Sequence, residues 1–201
     1  MRPKKKRLEA GSLVTATKTM SDKIIDELDI QQGITVSFTN NVFIIKGPKG
    51  EVQRPFYSTE IKTTVQNNKV RFEPTHKYTQ DHKRMINTYK AHLKNNFKGV
   101  TQGHVYHLKI CSGHFPMNVT MKGQTLEVKN LFGEAVPRTL IITEGVSAKV
   151  EGDKITVQGI DKEKTAQAAA SIEQLTRRPG FDKRVFQDGI YLLDKDGKEL
   201  L

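Results

Sequence analysis

Residues 34–51, ITVSFTNNVFIIKGPKGE, decide the fold when they are set against residues 117–134, MNVTMKGQTLEVKNLFGE. At a constant offset of 83, Val36 falls on Val119, Phe43 on Leu126, Ile45 on Val128 and Lys46 on Lys129, and Gly50-Glu51 fall on Gly133-Glu134. After a drift of two residues, Lys69, Val70 and Phe72 fall on Lys154, Ile155 and Val157. The identities are few but their spacing is kept, which is the mark of a tandem duplication. Both copies alternate apolar and polar residues at period two, as half-buried strands do. In the first copy Asn40-Asn41 and Asn67-Asn68 stand where hairpin turns call for residues that tolerate left-handed backbone. EVQRPF, IKTTV and KVRFE extend the antiparallel run.

A helical period follows each strand run. Between about 81 and 98, Met85, Ile86, Tyr89, Leu93 and Phe97 share one face, and Gly99 sits where a C-terminal cap is expected. The counterpart helix is expected at about 162–176, and the strand-like VYHLKIC leads from one unit to the next. Because strands precede the helix and do not alternate with it, the class is α+β: two tandem similar domains, each an antiparallel β-meander packed against one helix. The expected divisions are a basic arm at 1–20, a first repeat at 21–103, a second at 104–176, and a C-terminal tail at 177–201 packed on the second repeat.

The charge is regional. Thirty-three Lys and Arg against 22 Asp and Glu leave a net +11 over 201 residues. Residues 1–20 carry six basic and one acidic side chain, and residues 75–114 carry seven and one, so these two segments hold the whole excess. Such an imbalance points to a polyanionic partner. The arm MRPKKKRLEAGSLVTATKTM has no apolar period and is expected to be disordered; it reads as an arm threading among phosphates, with a nuclear address or a solvated tail as alternatives. The single cysteine, Cys111, excludes an intramolecular disulfide and fits a reducing compartment. No stretch approaches the roughly 18 apolar residues of a membrane span, and no signal-peptide core follows the basic start, so a soluble cytoplasmic protein is expected.

Two clusters suit phosphate. Lys83, Lys90, Lys94 and Lys98 lie along one side of the first helix, a stripe that can meet a nucleic-acid backbone or be a solvated helix face. Arg177, Arg178, Lys183 and Arg184 surround Pro179-Gly180, so a tight loop would present guanidinium forks to phosphates or bases; Asp182 and Asp188 lower its net charge, and a solvated loop is the alternative. The turns at Gly47–Glu51 and Gly133-Glu134 are not Walker loops, because strands and not helices follow them; they read as hairpin connections, with Lys46 and Lys49 as candidate phosphate contacts.

The six histidines all fall between 76 and 114, and His104, His107, Cys111 and His114 have a spacing that could be written as a zinc site. Strand alternation sends His107 and Cys111 to one face and His104 and His114 to the other, so no metal or cofactor is expected and Cys111 is read as buried. A metal-dependent nuclease would need carboxylates among these histidines, yet Asp81 is the only acid from 75 to 114. No enzyme is expected. Asn118-Val-Thr120 is a glycosylation sequon in form only.

The end of the chain, EQLTRRPGFDKRVFQDGIYLLDKDGKELL, carries the most specific signal. Gln174, Arg184, Phe186, Asp188, Gly189, Tyr191 and Lys195 stand at the spacing of the C-terminal signature of the sixth large-subunit ribosomal protein family, and this chain resembles that family in its archaeal and eukaryotic form. IIKGPKGE, NNFKGVTQG, HFPMNV and NLFGE are similar to it as well, so the resemblance spans about residues 30–195, and RVFQDGIY resembles archaeal members most. The chain departs from the pattern where an aliphatic and then a basic residue are usual: here stand Arg178 and Phe181, so the basic charge is moved, not lost. The arm before Met20 is the other departure. The resemblance implies a structural constituent of the large ribosomal subunit. It would bind 23S-type rRNA near the stalk base and sarcin-ricin loop, among neighbouring ribosomal proteins and beside the site of translational GTPases. A non-ribosomal RNA-binding or RNA-chaperone module would share the charge but not the signature.

Overall fold

The computed structural model describes residues 26–113, 116–182 and 184–200, so the basic arm at 1–20 lies outside the described residues. The first unit runs β1 (Asp26–Asp29), β2 (Thr35–Thr39), β3 (Val42–Gly47), β4 (Gly50–Pro55), β5 (Ile61–Gln66), β6 (Lys69–Pro74) and helix α1 (Gln80–Thr101). The second runs β7 (His104–Cys111), β8 (Asn118–Lys122), β9 (Thr125–Lys129), β10 (Arg138–Ile141), β11 (Val146–Glu151), β12 (Lys154–Gly159) and helix α2 (Lys162–Leu175). Strands β13 (Gly189–Lys195) and β14 (Lys198–Glu199) complete it. Asn40, Asn41, Asn67 and Asn68 all have φ between 49° and 60°, the backbone of the two-residue turns that match strand twist. They join β2 to β3 and β5 to β6.

Each unit is α+β with antiparallel strands and one helix, and its strands divide between two sheets. In the first unit these have the orders β2-β3-β4 and β1-β6-β5; in the second, β8-β9-β10 and β11-β12-β7-β13-β14. The duplication thus extends to a leading strand that alternation did not reveal: β1 pairs with β6 as β7 pairs with β12, with Asp26 opposite Phe72 and Tyr106 opposite Val157. β1 reads DELD, and three acids in four residues leave no apolar alternation to see. The last segment does more than pack on the second unit, since β13 lies beside β7 within its sheet.

Helix α1 starts at a capping box in which the Thr79 hydroxyl accepts from the His82 amide and His82 Nδ1 accepts from the Thr79 amide. Its buried face holds His82, Ile86, Leu93, Asn96, Phe97, Gly99 and Val100. Met85, expected on that face, is 37% exposed, because positions 82, 86, 93, 97 and 100 carry the buried stripe and 85 lies at its edge. Gly99 is not the cap. The helix continues to Thr101, and Gly103, at φ +79°, takes the left-handed position after Gln102. Gly99 is instead a point of closest approach: a Cβ there would overlap the carbonyl oxygen of Ile160, just before α2.

Two cores result. The first gathers Phe43, Phe56, Phe72, Ile86, Leu93 and Phe97, and the second gathers Leu108, Leu126, Val128, Ile155, Val157, Ala169 and Ile172. Between them Ile160 packs onto the first core, and Arg54 on β4 pairs with Glu163 in the first turn of α2 at 2.7 Å. Asp196, in the left-handed Asp196-Gly197 turn between β13 and β14, reaches back to the first unit. It accepts from Lys98 Nζ at 2.9 Å and from His104 Nδ1 at 3.0 Å, while His104 Nε2 donates to the Asn95 carbonyl at 3.1 Å. No helix among the described residues is long and apolar enough to cross a membrane.

Candidate nucleic-acid interface

The segment after α2 is built around carboxylates. Asp182 accepts from the Arg184 amide at 3.0 Å, and its backbone carbonyl accepts from the Val185 and Phe186 amides, holding residues 184–186 tightly against Asp182. Gly180, at φ +85°, makes the preceding turn. Arg184 lies against Asp182 at 2.9 Å, which lowers the Asp182 carboxyl and raises the Arg184 guanidinium. Asp188 is buried and accepts from the Gly113 amide, tying the loop to the end of β7. The two acids that lower the local charge are therefore structural.

Three rings meet at the surface here. Phe132, in the connection between β9 and β10, lies 6.2 Å from Phe181 and 6.0 Å from Phe186, and Phe181 meets Phe186 edge to face at 5.0 Å. The Arg178 guanidinium carbon sits 4.2 Å from the Phe181 centroid and 5.4 Å from that of Phe132. Arg178 and Phe181, read from the sequence as moved charge, thus touch each other. Phe132 is held at φ 52°, ψ 30°, an uncommon backbone for an aromatic residue. Arg138 anchors the same connection: it grips Glu134 through two nitrogens, at 2.6 and 2.8 Å, and donates to the last carbonyls of α2 at Leu175. The Arg138 hydrogen bonds, aided by the nearby charge of Arg178, outweigh burial and hold the Glu134 carboxyl below its ordinary range.

A cleft of about 200 Å³ opens between these rings and the end of α2. Gln174, Phe186, Asp188, Gly189 and Tyr191 line it together with Arg177 and Arg178, whereas Lys195 lies exposed at the far end of β13. Burial raises the Tyr191 phenol above its ordinary value. Thr176 ties the cleft's two walls, accepting from the Ile190 amide and donating to the Glu173 carbonyl. Lys183 lies outside the described residues. The arrangement offers planar cations beside flat apolar rings, the chemistry that takes phosphate and base together.

The other expected contacts are spread more widely. On α1, Lys83 and Lys94 are exposed, while Lys90 pairs with Asp26 and Lys98 with Asp196. Lys46 pairs with Glu51 across its hairpin at 3.0 Å, and Lys49 donates to the Gln102 carbonyl at the end of α1. His104 faces the core with Tyr106, Leu108 and Ile110, whereas His107, bonded to Thr156, and Cys111 lie on the opposite face; Cys111 is half-buried, not buried, and His114 lies outside the described residues. Sequence reasoning missed Phe132 as a site residue, although it lies in the NLFGE run that carried part of the resemblance.

The profile of the family described as Ribosomal protein L6 matches this chain twice, over residues 30–103 and 115–189, once in each unit. The large ribosomal subunit protein uL6 of Nanoarchaeum equitans is 43% identical over 183 residues, covering 87% of this chain and 95% of the relative. That of Methanobrevibacter smithii is 41% identical over 173 residues, covering 86% and 97%. That of Methanosarcina mazei is 40% identical over 176 residues, covering 88% and 99%.

Proposed function

The chain belongs to the ribosomal protein L6 family, of archaeal type, as a structural and non-enzymatic constituent of the large ribosomal subunit; on that premise we propose that it grips rRNA mainly through the loop after α2. The rRNA bound is 23S-type, near the stalk base and sarcin-ricin loop, with neighbouring ribosomal proteins and, in proximity, translational GTPases, on ribosomes of the cytoplasm. The observation that carries this reading is the convergence of Arg177, Arg178 and Arg184 on one constrained loop beside the signature residues Gln174, Phe186, Asp188, Gly189 and Tyr191. Lys183 completes the cationic set by sequence. Lys83 and Lys94, with Lys90 and Lys98 beside them, supply a second stripe of phosphate contacts, and Lys46 and Lys49 are further contacts on the first unit.

The experiment is filter binding to cognate and scrambled large-subunit rRNA fragments across salt. Binding weakens steeply between about 50 and 200 mM salt, as release of counterions from several phosphates requires. A flat response, or equal affinity for the scrambled fragment, overturns the reading.

A further inference from the structure

We infer that the cleft beside Phe181 and Phe186 takes a single unstacked RNA base, an inference that rests on the proposed function. Phe181 and Phe186 are 40% and 43% exposed, and neighbouring Val185 is 72% exposed. Three rings at one surface point form an apolar patch that calls for a cover. The rim selects a polyanionic cover: Arg177 is exposed and its guanidinium makes no ion pair among the described residues, and Arg184 stands on the same loop. The interior selects the part of it that enters. Glu173 lines the cleft, and a carboxylate repels phosphate but accepts from the amino and imino groups of a base edge. A volume of about 200 Å³ suits one flat group and no helix or strand.

The platform is also pre-set. Arg178 lies over the Phe181 ring, so the ring holds the cation in place before any ligand arrives, and the base stacks on the outer side of the guanidinium and on Phe186. Phe132 is kept in a left-handed backbone conformation while its ring completes the cluster. Stacking on such a surface tolerates any base, because every base has a π-face. The base must come from a loop, bulge or single strand, since bases within an A-form helix are not free to stack on protein.

The test uses the full chain, large-subunit rRNA transcripts and two double variants, Phe181→Leu with Phe186→Leu and Phe181→Tyr with Phe186→Tyr. Leucine keeps the apolar surface and removes the π-face; tyrosine keeps both. The leucine variant, with an unchanged thermal midpoint, loses about tenfold in affinity at every salt concentration, so its salt slope is that of the parent. The tyrosine variant binds as the parent does, and ultraviolet crosslinking places a nucleotide on Phe181 or Phe186. If the leucine variant binds as the parent does while Arg177→Ala still weakens binding, the base site is wrong and the rRNA reading stands. If the leucine variant keeps its rRNA affinity but fails to retain another large-subunit protein on reconstitution, the patch is a protein interface and the inference falls. Loss of salt-dependent rRNA binding by the parent chain itself would remove the proposed function as well.

Discussion

The two units share one plan and use their phenylalanines differently. In the first, Phe43, Phe56, Phe72 and Phe97 are buried, and the first three lie within 5.8–6.4 Å of one another in an aromatic core. In the second, the core is aliphatic apart from Tyr106, and Phe132, Phe181 and Phe186 meet at the surface, with Arg178 over the first two. The loop between the third and fourth strands shows the same divergence. In the first unit Lys49 donates to the carbonyl of Gln102 at the end of α1; in the second the equivalent position, offset by 83, is Phe132, and Arg138 caps α2 instead. A duplicated fold keeps the requirement that the helix end be satisfied. Which residue satisfies it is free to change, and a freed position can be turned outward for binding.

The largest effect is expected at Gly99, where the units meet. Gly99→Ala in the full chain forces the carbonyl of Ile160 to move and costs about 3 kcal/mol in chemical denaturation. In a fragment of residues 21–103, which should fold alone with a cooperative thermal transition, the same change is neutral or gains up to about 1 kcal/mol, because Ile160 is gone and alanine suits a helix interior. Equal costs in both would mean that the strain is within the first unit.

Next in size is the division of rRNA affinity. Replacing Arg177, Arg178, Lys183 and Arg184 with alanine is expected to weaken filter binding a hundredfold or more, since hydrogen bonds to charged groups contribute about 1.5–3 kcal/mol each. Deleting residues 1–19 should reduce specific affinity less and flatten the salt slope. The reverse order would transfer the specificity to the arm and leave the second unit's loop a structural element.

A smaller effect is expected at the latch between the units. Burial would raise the Asp196 carboxyl, but the hydrogen bonds from Lys98 and His104 outweigh it and hold the group below the usual carboxylate range. A depressed carboxyl stabilises the fold above its unfolded value, and that stabilisation is lost as pH falls through the folded one. Asp196→Asn, which suits the left-handed turn, should cost about 2 kcal/mol at neutral pH and flatten the acid limb of a stability profile. An unchanged acid limb would show that the turn docks without the charge. The smallest effect is expected from Lys83→Ala with Lys94→Ala: a few-fold weaker affinity and a salt slope shallower by about 0.7 for each phosphate these lysines neutralise.

The hairpins, both helices and the repeat were legible because their signals are local: paired asparagines, alternation, and apolar residues at helical spacing. What was not legible depends on distance along the chain. Lys90 and Lys98 look like a free stripe until Asp26 and Asp196, 64 and 98 residues away, are brought to them. Phe132 joins Phe181 and Phe186 only through the fold, although the latter was read as a signature residue. The Asp196-Gly197 hairpin was readable as a turn pair, yet nothing local says that its strand enters the sheet beside β7.

That placement of β13 sets an order on the folding of the nascent chain. All the strands and the helix of the first unit precede residue 102, so that unit can close while the rest is still being translated. β7 is made immediately afterwards but sits between β12 and β13, and β13 follows it only after five further strands and α2. During translation β7 therefore keeps an open edge with unpaired amides and carbonyls, the kind of edge that recruits other strands. Synthesis of β13 supplies the missing neighbour, and the Asp196 turn carried with it then fastens the late unit to the early one.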